Sequence, residues 1–173
     1  IHTFRECTAL TDVKLGNGVT KIDEYDFLGC TSLVNINIPN SVTSIGDFAF
    51  SECASLEQID LPNSVTAIGM AAFQMVALTS IDLPVNITSI ADQTFHGSPL
   101  LTTIEIPEGV TSIGRIAFSS CASLANVTIP STVTSIDELA FYGCQSLAEV
   151  TSLATTPPSL GGRVFTDIAS PAT

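Results

Sequence analysis

The stretch Ser55–Gly69, SLEQIDLPNSVTAIG, decides the fold because it comes back. Ser123–Ile136 reads SLANVTIPSTVTSI, with the same apolar, proline and threonine places. Outward from these lines, Phe4, Phe27, Phe50, Phe73, Phe95, Phe118, Phe141 and Phe165 form a comb with intervals of 23, 23, 23, 22, 23, 23 and 24 residues. Of the nine phenylalanines only Phe48 lies off it. Leu10, Leu33, Leu56, Leu78, Leu101, Leu124 and Leu147 keep the same step, as do Val13, Ile36, Ile59, Ile81, Ile104, Val127 and Val150. The unit is F-x-x-C-x-x-L-x-x-I-x-L-P-x-x-V-T-x-I-x-x-x-A, and a repeat of this length is the signature of a solenoid. About seven such units account for residues 1–173, read as a single domain.

Composition agrees. The 173 residues are 45% hydrophobic and 13% charged, about half the usual charged share. A disordered chain needs the opposite balance. Mean hydropathy is +0.45, yet no apolar run approaches the ~18 residues of a membrane span, so no membrane insertion is expected. Seventeen acids against five bases give a net charge of −12, which disfavours nucleic acid and anionic membrane as partners.

One coil of this length has too little core to fold alone. Stacked coils let each Leu, Ile, Val and Phe pack on its copies, while backbone groups pair between coils. Leu-x-x-Ile-x-Leu holds a short strand, ended by Pro39, Pro62, Pro84, Pro107 or Pro130, since proline cannot donate to a continuing ladder. Val-Thr-x-Ile is β-branched and suits a second extended segment. The following Gly/Asp-x-x-Ala-Phe segment is predicted to form a helical turn or 3₁₀ piece. Gly46, Gly69 and Gly114 are expected to allow a tight corner. Phe73 to Leu78 is one residue short, which predicts a local kink or tightened turn and not a domain boundary. Thr155-Thr156-Pro157-Pro158 is expected to replace the second extended segment of the last coil as an end cap. Residues 154–173 form the closing unit, with 166–173 a loose tail.

The repeat resembles the BspA-like subclass of leucine-rich repeats, on the strength of the two lines quoted and of Ala154–Gly161, ATTPPSLG, followed by Phe165. The resemblance implies an α/β leucine-rich-repeat solenoid: a β-rich right-handed superhelix with a parallel sheet on its concave face. It also implies a cell-surface or secreted binding module, adhering to protein or glycan ligands on host or neighbouring cells. A structural spacer or stalk, presenting another domain, is the alternative. The chain starts in mid-coil at Ile1, which reads as a fragment of a longer protein.

Cys7, Cys30, Cys53, Cys121 and Cys144 share one repeat position. One thiol per coil makes a line, not the converging set a metal needs, and the odd count with Ser98 in the same place argues against a disulfide framework. They are read as small buried hydrophobes. His2 and His96 have no triad partner at a suggestive spacing. No catalytic, cofactor or metal site is expected.

The candidate ligand face lies on the Leu-x-x-Ile-x-Leu strands. Alternation turns Lys14, Asn37, Asp60, Asp82, Glu105, Thr128 and Thr151 outward, with Gln58 and Asn126 among the neighbours that precede the middle column. Asn37, Gln58, Asp60, Asp82, Glu105 and Asn126 are the predicted binding set. Stacked acids about 5 Å apart repel each other, a cost consistent with attracting a basic partner or a cation. The Thr20, Thr43, Thr66, Thr88, Thr111 and Thr134 column is expected to support stacking through its hydroxyls.

Overall fold

The computed structural model describes residues 3–169, a parallel-strand β-solenoid. His2 and the end of the expected tail, residues 170–173, lie outside the described residues.

Each coil passes through two strand columns. The Leu-x-x-Ile-x-Leu segments give β1 (Asp12–Lys14), β3 (Asn35–Asn37), β8 (Asn126–Ile129) and β10 (Glu149–Ser152). The Val-Thr-x-Ile segments give β2 (Lys21–Ile22), β4 (Ser44–Ile45), β5 (Ala67–Ile68), β6 (Ser89–Ile90), β7 (Ser112–Ile113), β9 (Ser135–Ile136) and β11 (Ser159–Leu160). Every pairing is parallel and keeps the repeat register, for example Val13 opposite Ile36 and Ile113 opposite Ile136. The second column splits into two sheets, β2-β4-β5 and β6-β7-β9-β11. On the first, β1 pairs β3 and β8 pairs β10, while single bridges link Asp82 to Glu105 and Glu105 to Thr128.

The phenylalanine comb is one continuous stack from Phe4 to Phe165. Ring centroids lie 5.1–5.7 Å apart and planes diverge by at most 12°. Phe27, Phe50, Phe73, Phe95, Phe118 and Phe141 are fully buried with the leucine, isoleucine and valine columns around them. Phe48, off the comb, stacks on Tyr25 at 5.2 Å in a separate outer pair.

Among the described residues there is no helix, so the expected helical turns, and with them the α part of an α/β description, do not form. The reason is where the amides point. Tyr25, Phe27 and Gly29 donate to Asp47, Ala49 and Ser51 of the next coil, and Leu139, Phe141 and Gly143 donate likewise to Gly162, Val164 and Thr166. Alternate amides thus build a third inter-coil ladder, and only single turns such as Leu28 to Tyr25 close within a coil. The geometry requires positive φ two residues before and two after each phenylalanine, as at Phe48 (55°) and Glu52 (63°) around Phe50. Left-handed residues at both places interrupt any helical run.

Gly46, Gly69 and Gly114 do not have positive φ. Their job is close approach between coils. A Cβ on Gly69 would lie 2.4 Å from an Asp47 carboxylate oxygen, and one on Gly114 would lie 2.5 Å from that of Asp92. Those carboxylates accept from the amides of Met70 and Arg115, both at 2.8 Å. Pro157 and Pro158 do not replace the second extended segment either. Pro158 has no N–H, so Ser159 takes up the ladder, donating to Thr134 at 2.9 Å.

The threonine hydroxyls support stacking as expected. Thr43, Thr66, Thr111 and Thr134 donate to the carbonyls of Thr20, Thr43, Thr88 and Thr111 at 3.1–3.3 Å.

Candidate binding face

Period-two alternation sends the middle Ile or Val of each first-column strand into the core and its neighbours to solvent. Asn37, Gln58, Asp60, Asp82, Glu105 and Asn126 are all exposed.

The six do not form one uniform row. Glu105 is the hub, since its backbone bridges to Asp82 on one side and Thr128 on the other. Asp82 and Glu105 line a shallow groove of about 580 Å³ with Leu83, Val85, Pro107, Glu108 and Gly109. Glu105 and Asn126 line a second, of about 340 Å³, which again includes Glu108 and has Leu153 at its lip. Asp60 and Gln58 lie apart from these, in a groove of about 260 Å³ shared with Asn35 and Asn37.

Two of the asparagines are occupied by the stack. Asn37 accepts from the Leu15 amide at 2.8 Å, and Asn35 donates to Asp12 at 2.8 Å. That hydrogen bond, with one from Thr11, holds the Asp12 carboxyl below its ordinary pKa.

Glu108 is the residue that sequence reading missed. It follows Pro107 at the place where other coils carry Asn40 and Asn63, and it faces both grooves. Its carboxylate accepts from Ser131 at 3.2 Å. The one available signal was an acid in a column that otherwise holds Asn40, Asn63, Val85 and Ser131. Val85 and Leu153, 62% and 51% exposed, give the acidic grooves apolar rims.

The remaining polar groups are structural. His96 Nδ1 lies 3.1 Å from the Ser119 carbonyl oxygen. Cys30, Cys53, Cys121 and Cys144 are buried, and no cysteine among the described residues is in a disulfide. Among the described residues no three His, Cys, Asp or Glu side chains converge as a metal site, and no helix is long and apolar enough to cross a membrane.

Among curated proteins none matches the chain. Similarity lies with solved structures. A leucine-rich repeat protein from Bacteroides ovatus superposes with a TM-score of 0.88 at 28% identity, over 95% of this chain and 43% of that one. The chain therefore spans less than half the length of that protein. A leucine rich repeat protein from T. pallidum gives a TM-score of 0.85 at 33% identity, over 90% of this chain and 75% of that one. A leucine rich cell surface protein from Faecalibacterium prausnitzii gives 0.54 at 25%, over 89% and 62%. The BspA type leucine rich repeat region matches residues 1–121 and 66–170 in six copies, against the seven units counted from spacing. Repeat, stacked core and these matches agree: the chain belongs to the BspA-type leucine-rich repeat family.

Proposed function

We propose that this solenoid is a protein-binding module of a cell-surface or secreted protein, and that its first-column face takes a basic partner. One observation carries the reading. Asp82, Glu105 and Glu108 stand exposed around adjoining grooves with apolar rims at Val85 and Leu153. Like charges at coil spacing disfavour the isolated stack, and a cationic segment relieves that repulsion. Lysine or arginine side chains would meet the carboxylates while their aliphatic stems cover the rims. The likeness to a protein described as a leucine rich cell surface protein supports the location.

The test is a protein and glycan array probed with the chain and with a variant carrying Asp60→Lys, Asp82→Lys and Glu105→Lys. A ligand bound by the parent and lost by the folded variant supports the face, whereas equal binding by both rejects it.

A stalk presenting another domain is the second reading. The engagement of Asn35 and Asn37 with the preceding coil favours it, since those side chains serve the stack. A chain that binds nothing on the array fits the stalk.

A further inference from the structure

Independent breaks in the repeat meet at one junction. The β2-β4-β5 sheet ends at Ala67–Ile68, and the next sheet begins at Ser89–Ile90. The Thr88 hydroxyl and amide make no bond to Thr66, whereas the equivalents at Thr66 and Thr111 bond back to Thr43 and Thr88. The interval from Phe73 to Phe95 is 22 residues, and this ring pair is the most widely spaced of the stack, at 5.7 Å. On the first-column face a long 3.4 Å bond, Thr79 to Glu57, joins the two backbones, and among the described residues no backbone bond joins Asn35–Asn37 to Gln58–Asp60 one coil earlier, so this face does not single out the junction. The turn face is intact: Ala71, Phe73 and Met75 donate to Asp92, Thr94 and His96, all at 2.9 Å, and the Ser98 hydroxyl donates to the Phe73 carbonyl at 3.1 Å. Between the two strand columns Asn63 still joins the coils, accepting from the Asn86 side chain at 2.9 Å and from the Val85 amide at 3.3 Å.

We infer that this junction is a seam dividing the solenoid into two cooperative blocks, and that the stack opens there first, with the turn face as its spine. In a solenoid each coil is held by its neighbours alone, so one weak interface uncouples everything on either side. The missing residue is the cause. The residue is missing between Phe73 and Leu78, ahead of both strands of that coil, so the turn that leads into them is shortened. The Phe73 stack and turn ladder keep register, and the β5–β6 pairing is lost. The seam passes between Asp60 and Asp82, so these two acids belong to different blocks.

The chain supplies its own probes, because it has no tryptophan and one tyrosine on each side, Tyr25 and Tyr142. Urea unfolding of Tyr142→Phe reports the first block, and that of Tyr25→Phe the second. The expected result is two separate midpoints and a biphasic circular dichroism transition. A single transition common to both probes overturns the proposal. Two repairs sharpen the test: a serine inserted between Ala77 and Leu78, alone and together with Val76→Cys. Either is expected to draw the midpoints together. Midpoints unmoved in the folded repaired chains would mean that the blocks differ intrinsically, and the seam is refuted. If neither insertion folds, the parent's two midpoints decide alone, and their coincidence refutes the seam.

Discussion

The thiol of Cys53 lies 3.2 Å from the carbonyl oxygen of Phe27, one coil away in the stack. Cys30 stands in the same relation to Phe4, Cys121 to Phe95 and Cys144 to Phe118, at 3.0–3.2 Å. Ser98 fills the same place with its hydroxyl 3.1 Å from the Phe73 carbonyl. The position selects a small side chain that can donate inside an apolar core, a narrower requirement than a small hydrophobe.

Those thiols are expected to be silent until the chain unfolds. Cys30, Cys53, Cys121 and Cys144 are fully buried, and burial raises the pKa of each, to about 12 at Cys53 and Cys144. An aromatic disulfide reagent at pH 8 should therefore modify Cys7 at once and the other four only at the unfolding rate. Rapid reaction of more than one thiol would contradict the buried column.

The same shifts give an alkaline limit. A thiol with a folded pKa above its ordinary value stabilises the fold fully below pH 9 and loses that contribution as pH rises toward 12. Each such thiol lowers stability by about 1.4 kcal/mol per pH unit across that window. In reductant, Cys53→Ser with Cys144→Ser should unfold with a flatter dependence on pH above 9, as read by urea midpoints. Ser98 shows that the column accepts a hydroxyl.

Phe118 lies 5.3 Å from Phe95 and 5.1 Å from Phe141, and is fully buried. Phe118→Ala removes ring contact on both sides and leaves a cavity, at a cost of about 3–5 kcal/mol. Phe48→Ala, in the half-buried outer pair with Tyr25, should cost clearly less. Thermal denaturation of the two variants separates the ladders.

The core was legible because burial acts at every coil, so Phe, Leu and Ile had to recur at the step of the stack. The turn face was not. Its ladder is built by backbone amides and left-handed φ values, and residues as different as Tyr25, Phe48, Ala71, Gln93 and Ile116 adopt them. A helical turn and a flat ladder both tolerate such a list. The proposed binding face was half legible for a related reason. Alternation turned Asp82 and Glu105 to solvent, where the structure has them, but Glu108 lies past the proline, where period two no longer applies. The occupation of Asn37 by Leu15 depends on side-chain reach that spacing does not encode.

Gly69 and Asp47 should prove coupled. Gly69→Ala places a methyl group where the Asp47 carboxylate now caps the Met70 amide. The same methyl lies 2.6 Å from the Asp47 amide nitrogen and 2.7 Å from the Gly46 carbonyl carbon, so backbone must shift as well. Displacing the carboxylate leaves the Met70 N–H without its acceptor, which adds about 1–3 kcal/mol to that backbone cost. In Asp47→Ala the cap is already absent, so adding Gly69→Ala should cost less than it does alone. A double-mutant cycle by urea unfolding reads the difference. Strict additivity would show that the glycine serves only backbone approach.

Glu52 offers the opposite experiment, a gain. Its φ is 63°, and the same place in other coils is held by Gly29, Gly97 and Gly143 at 68–72°. A left-handed conformation costs an L-residue about 1–2 kcal/mol. Glycine there escapes that strain, while its freer unfolded chain gives back about 0.4–1 kcal/mol. Glu52→Gly should therefore stabilise the solenoid by roughly 0.5–1 kcal/mol, with the amide bond to Gln74 unchanged. Removing an acid from a chain of net charge −12 would also help, so Glu52→Ala is the control. It removes the same charge but keeps a Cβ at positive φ. If melting temperature rises equally in both variants, charge accounts for the gain; a rise confined to glycine assigns it to the strained backbone that the third ladder demands.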